Sequence, residues 1–320
     1  SSLRIKIAVT GDPLLRGTGA RSAVSSTPES YAISVSSRGI TVEGSDATGA
    51  MYGALDVAEQ IAWGAEIKDR AKSPYLPVRG INTFLTAQGF DEPDSWYWSD
   101  EFRHNFLDLH GPFDITVSFP NGFPFLVWLQ DFPDVGVGRE RAQKNLARFR
   151  EIIRMAADRG VKVGFMNYTA AATIGPWKTG RFWKDERYVP RPQSYLPADK
   201  LEEYTRQAVR EFLATVPELW MFGFRIGESG QPEDFYKKTY IEALKGSSPD
   251  LKVYARTWIA DPKRVREIAD LTGRAFYIEP KYNGEHLGLP YQAVTGGRYY
   301  PPSGSWEDYT NAPRNFSTIW

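Results

Sequence analysis

Cysteine is absent from this 320-residue sequence, and histidine occurs three times, at His104, His110 and His286. Without thiols there are no disulfides, thiolate metal ligands or cysteine nucleophiles. Three scattered histidines make no HExxH or comparable zinc spacing, so neither a metal nor another cofactor is expected. Lys plus Arg and Asp plus Glu both number 39, a formal net charge of zero. No global field therefore gathers nucleic acid or an anionic membrane surface. The sequence also lacks an apolar run of 18 residues and, in "SSLRIKIAVTGD", the charged-then-apolar pattern of a leader. Membrane insertion is not expected, and no signal peptide is read within these residues. What remains is enough chain for one large domain, or a medium domain plus a small one, with a neutral or locally charged ligand as partner. Nothing in the composition sets an oligomeric state.

Aromatic residues are plentiful, at 14% with ten Trp. Many cluster in "SWYWSDEF", "FPFLVWLQDF" and "PWKTGRFW", which read as loops. About two thirds of the aromatics are expected in core and interfaces. The remainder suit a carbohydrate surface, because aromatic faces pack on sugar C–H faces while their polar tips stay wet.

Residues 3 to 10 alternate as a strand, and "ESYAISVSSRGITVEG" reads as a hairpin turning at Ser36 to Gly39. In "SDATGAMYGALDVAEQIAWG", Ser45 or Asp46 can cap a helix whose Met51, Leu55, Ala58 and Ile61 predict an apolar stripe facing the hairpin. Charged, proline-bearing "EIKDRAKSPYLP" reads as a linker. This gives a small α+β domain over 1–70. Beyond it, strands near 78–86, 113–119, 161–168, 219–226, 251–257 and 274–279 alternate with helices over 99–109, 139–159, 197–215, 233–246 and 261–272. The alternation predicts a parallel sheet with crossover helices. Asn82, Ser118, Asn167, Glu228, Arg256 and Glu279 stand at the strand ends, which converge on one face in an eight-stranded barrel. The fold class is therefore α/β: a small N-terminal domain, then a TIM-type (β/α)8 barrel over 75–320. Because "NFSTIW" reads as a seventh strand, the barrel is expected to lack its last strand and helix.

The stretch "PESYAISVSSRGITVEGSDATGAMYGALDVAEQI", followed by "PVRGIN", resembles the small domain and first barrel strand of family 20 hexosaminidases and of family 67 and 115 alpha-glucuronidases. The resemblance covers about the first 85 residues, and the barrel only as a pattern of strands. It implies a glycoside hydrolase, with Glu228 at the position of the alpha-glucuronidase general acid. Family 20 enzymes carry an Asp-Glu dyad there. In this sequence Gly227 precedes Glu228, which disfavours substrate-assisted hexosaminidase chemistry.

Glycosidic cleavage asks for two carboxylates, one protonated to release the leaving oxygen and one ionised as base or nucleophile. The partner of Glu228 is sought in "FYIEPKYNGEHLGLPYQ", as Glu279 or Glu285. An ion pair with a barrel cation is the structural alternative for Glu279, and a solvated loop charge for Glu285. Asn82, Asn167, Arg225, Arg256, Trp258, Lys281, Tyr282 and His286 are the candidate substrate-binding residues. The three basic residues Arg225, Arg256 and Lys281 suit a uronic-acid carboxylate or the neutralisation of the site's own acids. The expected substrate is a plant or algal polysaccharide, encountered in the periplasm or outside the cell, with the cytoplasm as the alternative. A non-catalytic carbohydrate-binding protein and a barrel lyase or isomerase are the other two function classes, since a barrel does not fix its chemistry.

Overall fold

The computed structural model describes residues 4–18, 23–84, 114–119, 122–168, 173–174, 194–227, 231–258, 260–280 and 316–318. These residues form two compact units, one built mainly from the chain up to Arg79 and the other mainly from Gly80 onward.

The first unit is a four-stranded sheet with one helix. Strands β1 (Ile5–Val9), β2 (Tyr31–Ser36), β3 (Gly39–Gly44) and β4 (Arg70–Lys72) lie in the order β1-β3-β2-β4. The β2–β3 hairpin pairs Tyr31 with Gly44 through to Ser36 with Gly39. Part of the expected linker is thus sheet: β4 lies antiparallel to β2, pairing Ile33 with Arg70. Helix α1 (Ala47–Ala62) starts where the Asp46 carboxylate accepts from Gly49 N at 2.8 Å and from Glu29 N at 2.8 Å.

The buried stripe of α1 differs from the expected one. Leu55 and Ile61 are 52% and 48% exposed. Gly49, Gly53, Asp56, Val57 and Gln60 are buried instead, with Val57 against Tyr31, Ile33, Ile40 and Val42. The cause is a polar cluster that hydrophobic counting cannot rank. Tyr31 Oη donates to Asp56 Oδ2 at 2.5 Å, while Arg70 at 3.2 Å and Lys72 at 3.1 Å pair with the same carboxylate. Burial pushes the Asp56 carboxyl up, but these donors outweigh it and hold it below the usual range. A buried charge kept in this way is tolerated because it is both paired and hydrogen-bonded.

The second unit is a curled parallel sheet covered by helices. Its strands are β5 (Gly80–Phe84), β6 (Asp114–Phe119), β7 (Val163–Asn167), β10 (Met221–Gly227), β11 (Lys252–Trp258), β12 (Phe276–Pro280) and β13 (Phe316–Thr318). They run in sequential order across seven places, with every neighbouring pair parallel. A two-residue ladder, β8 (Thr173–Ile174) with β9 (Ser194–Tyr195), stands apart. The helices are α2 (Gly122–Leu126), α3 (Arg139–Ala157), α4 (Ala198–Thr215), α5 (Glu233–Tyr236), a π turn at Lys237–Ile241, α6 (Glu242–Leu244) and α7 (Pro262–Thr272). Asp261 caps α7 by accepting from Lys263 N, ahead of Pro262, and Gly273 closes it at φ 62°. No described helix is long and apolar enough to cross a membrane.

In-register partners on adjacent strands share a face. Phe165, Phe222 and Val253 align, and the two rings meet the helices: Phe165 lies 4.4 Å from Phe212 of α4, and Phe222 lies 6.1 Å from Tyr240 of the π turn. Phe123 and Phe125, in a stretch read as an aromatic loop, are 2% and 0% exposed and belong to this core. The aromatic layer between sheet and helices leaves the opposite sheet face to line the barrel interior.

Candidate active site

Strand alternation carries the site. Two residues beyond each helix-facing Phe or Val, the chain again faces the helices, and the residues between face inward. Arg225 of β10 aligns with Arg256 of β11, and Arg256 with Glu279 of β12. All three therefore stand in one layer of the interior, in the C-terminal halves of their strands, the end where barrel active sites form. Tyr168, the residue after β7, completes the layer. The Arg225 guanidinium lies 3.8 Å from the Tyr168 ring centre and that of Arg256 5.8 Å. Tyr168, Arg225 and Arg256 are each 8% exposed. The carbonyl of Arg225 accepts from Tyr236 Oη at 2.8 Å, which fixes the end of β10 against the helix layer.

Glu279 joins this cluster from two sides. Its Oε1 is 3.5 Å from Arg256 Nη1, and its Oε2 accepts from Asn82 Nδ2 at 3.4 Å. Asn82 lies on the first strand of the sheet and Glu279 on the sixth. Five inter-strand steps in a flat sheet would hold them about 24 Å apart. Their contact requires a sheet curled as in a barrel. Burial raises the Glu279 carboxyl above the usual range, while Arg256 and the Asn82 amide partly offset it. Its side chain keeps 22% exposure, so it opens to the interior rather than being sealed.

The next layer down forms the floor. Gly223, Tyr254 and Tyr277 are in register there. A Cβ on Gly223 would stand 2.1 Å from Tyr254 Cε1, so the missing side chain is what lets the Tyr254 ring lie across β10. Burial pushes the Tyr277 hydroxyl up.

Of the candidate residues, Asn82, Arg225, Arg256 and Glu279 are brought together. Asn167 is not. It aligns with Phe224, on the helix side of the sheet, where its Oδ1 accepts from Gly122 N at 3.1 Å and its Nδ2 donates to Tyr240 Oη at 2.8 Å. The strand-end position is as expected, but alternation turns the amide away from the mouth and turns the next residue, Tyr168, towards it. The backbone of Trp258 ends β11 opposite Gly227. Glu228, Lys281, Tyr282, Glu285 and His286 lie outside the described residues.

No family model matches this chain, and no curated protein matches it. Among solved structures, a GH138 enzyme targeting pectin rhamnogalacturonan II is similar, with a TM-score of 0.64 and 23% identity over 82% of this chain. The match covers 33% of that enzyme, so the chain spans about a third of its length. A glycoside hydrolase family 20 β-N-acetylglucosaminidase gives a TM-score of 0.49 at 14% identity, covering 85% of this chain and 70% of that one. A β-N-acetylhexosaminidase from Bacteroides fragilis NCTC 9343 gives 0.49 at 16% identity, covering 92% and 72%. The likeness to the GH138 enzyme is one of fold: a small sheet unit and a TIM-type parallel sheet, as in a glycoside hydrolase.

Proposed function

We propose that the chain is a glycosidase that cleaves a plant polysaccharide carrying uronic acid, by carboxylate acid/base catalysis. The observation that carries this reading is the layer of Tyr168, Arg225, Arg256 and Glu279 at the C-terminal strand ends. A purely structural ion pair would hold its carboxyl low, whereas burial leaves that of Glu279 raised beside its own arginine. A carboxylate whose pKa approaches the working pH is a stronger base than an ordinary one, and Arg256 favours its ionised form.

In this scheme Glu279 takes a proton from water as the water oxygen attacks the anomeric carbon. Glu228, which follows the last residue of β10 in sequence, gives its proton to the departing glycosidic oxygen. The C–O bond to the leaving sugar breaks as the new one forms, and the product is inverted. Glu285 is the alternative second carboxylate, and Lys281, Tyr282, His286 and Trp258 are the further residues proposed to bind substrate. Arg225 and Arg256 each present a planar guanidinium fork in the layer, a shape suited to bidentate pairing with a uronate. The pectin substrate of the GH138 enzyme supports a plant glycan, and the alpha-glucuronidase resemblance supports a uronate. Such a substrate is met in the periplasm or outside the cell.

The test is turnover of a panel of pectic and other uronate oligosaccharides by the wild type, Glu228→Gln and Glu279→Gln. Each variant should lose about 10²–10⁴-fold in kcat, the usual worth of acid/base catalysis. NMR of the first product should show inversion. Full activity in either variant removes that carboxylate from the mechanism, and a retained configuration replaces the water by a covalent step.

A further inference from the structure

We propose that the first unit carries a second binding site, for an anionic glycan, on the sheet face opposite α1. Lys6 of β1 aligns with Thr41 of β3, one residue out of phase with the α1-facing pair Ile7 and Val42. A cleft of about 710 Å³ opens over that face and is lined by Arg4, Lys6, Arg38, Ser37, Thr18 and Thr41, among others. This volume suits a sugar-sized ligand.

Three features select the ligand. First, no Asp or Glu lines the cleft among the described residues, and none of Arg4, Lys6 and Arg38 has an ion pair among them. In a chain with 39 residues of each sign, three cations that line one cleft with no ion-pair partner among the described residues repel one another, and an anion relieves that repulsion. Second, two of the cationic heads are held in place. Arg38 Nη1 donates to Gly17 O at 2.5 Å, and Lys6 Nζ donates to Leu14 O at 3.4 Å. Each contact uses one donor of the five on Arg and the three on Lys, so most donors remain for a ligand. Third, no aromatic ring lines the cleft and Ile40 is the one large apolar residue there among the described residues. A nucleobase would have no stacking platform and an acyl chain no apolar wall. An acidic sugar, which offers carboxylate or sulfate oxygens together with hydroxyls, fits this lining. The site is independent of the barrel's chemistry and stands whether or not Glu279 proves catalytic.

The experiment is calorimetric titration of the whole chain, in an Arg256→Gln background that weakens the barrel site, with an oligogalacturonate, a sulfated oligosaccharide and inorganic sulfate. Binding of either oligosaccharide is expected, weakening as salt is raised. Adding Arg38→Gln should weaken it about tenfold or more, the loss expected for a charged hydrogen bond, and adding Lys6→Gln should weaken it further. In the wild-type background, Arg38→Gln should leave turnover of a small aryl glycoside unchanged. Circular dichroism and melting of each variant, expected to be unaltered, check that the fold is intact. Binding of neither oligosaccharide, binding of sulfate alone, or equal binding with and without Arg38 and Lys6 overturns the proposal.

Discussion

At the scale of single residues, Glu279 is raised by burial and drawn back by Arg256 and Asn82. In the proposed scheme Glu279 is the base and works only when ionised, so activity should be lost as pH falls through its pKa. Arg256→Gln removes a group that lowers that pKa, and the acid limb of kcat/KM against pH should move to higher pH. A limb that stays in place or moves down would show that Arg256 does not act on the base. Linkage has a matching sign: a carboxyl raised by folding favours the fold below its ordinary pKa, and that contribution is lost as pH rises through the folded value. The sequence marked four members of this cluster because polar residues at strand ends are visible in a one-dimensional pattern. It passed over Tyr168 in favour of Asn167. Asn167 ends β7 and Tyr168 follows it, and residue type cannot say which of two neighbours faces inward. The Gly122 amide and Tyr240 hydroxyl take the Asn167 side chain, and both come from segments distant in sequence.

At the scale of elements, α1 shows packing overriding propensity. Gly49 lies in its first turn, where Ala would favour the helix by about 1 kcal/mol. A Cβ at that position would stand 2.1 Å from the Ser30 carbonyl oxygen, a backbone atom that cannot swing aside. Ser30 O is also the acceptor for Ser45 N at 2.9 Å, so moving it disturbs the helix approach as well. Overpacking costs about 1–3 kcal/mol and sometimes more, which exceeds the propensity gain. Gly49→Ala should therefore lower the midpoint of thermal unfolding, and a raised midpoint would show that the approach can relax. The limits of α1 were legible from Asp46 and the helical spacing. Its buried face was not, because the stripe through Gly49, Gly53, Asp56 and Gln60 is held by close approach and by Tyr31, Arg70 and Lys72 rather than by apolar bulk. Strands of the second unit were legible for the opposite reason: β10 is buried along nearly its whole length, and parallel strands covered on both faces read as short apolar runs.

At the scale of the whole molecule, equal numbers of acidic and basic residues leave little mutual repulsion between copies near neutral pH. Solubility, measured as the polyethylene glycol concentration at which the protein precipitates, should pass through a minimum near pH 7 and rise on either side. A monotonic rise through neutrality would show that exposed apolar surface, not net charge, governs association. The sequence by itself determined the order of the described parallel strands, the long helices between them apart from the one read over 99–109, which lies outside the described residues, and the class of fold, because periodicity, caps and apolar runs are local properties of a chain. Tertiary structure alone decided which face of each strand looks inward and which distant side chains meet. Asn82 and Glu279 stand 197 residues apart in sequence, and only the curl of the sheet across five strand steps brings them into contact.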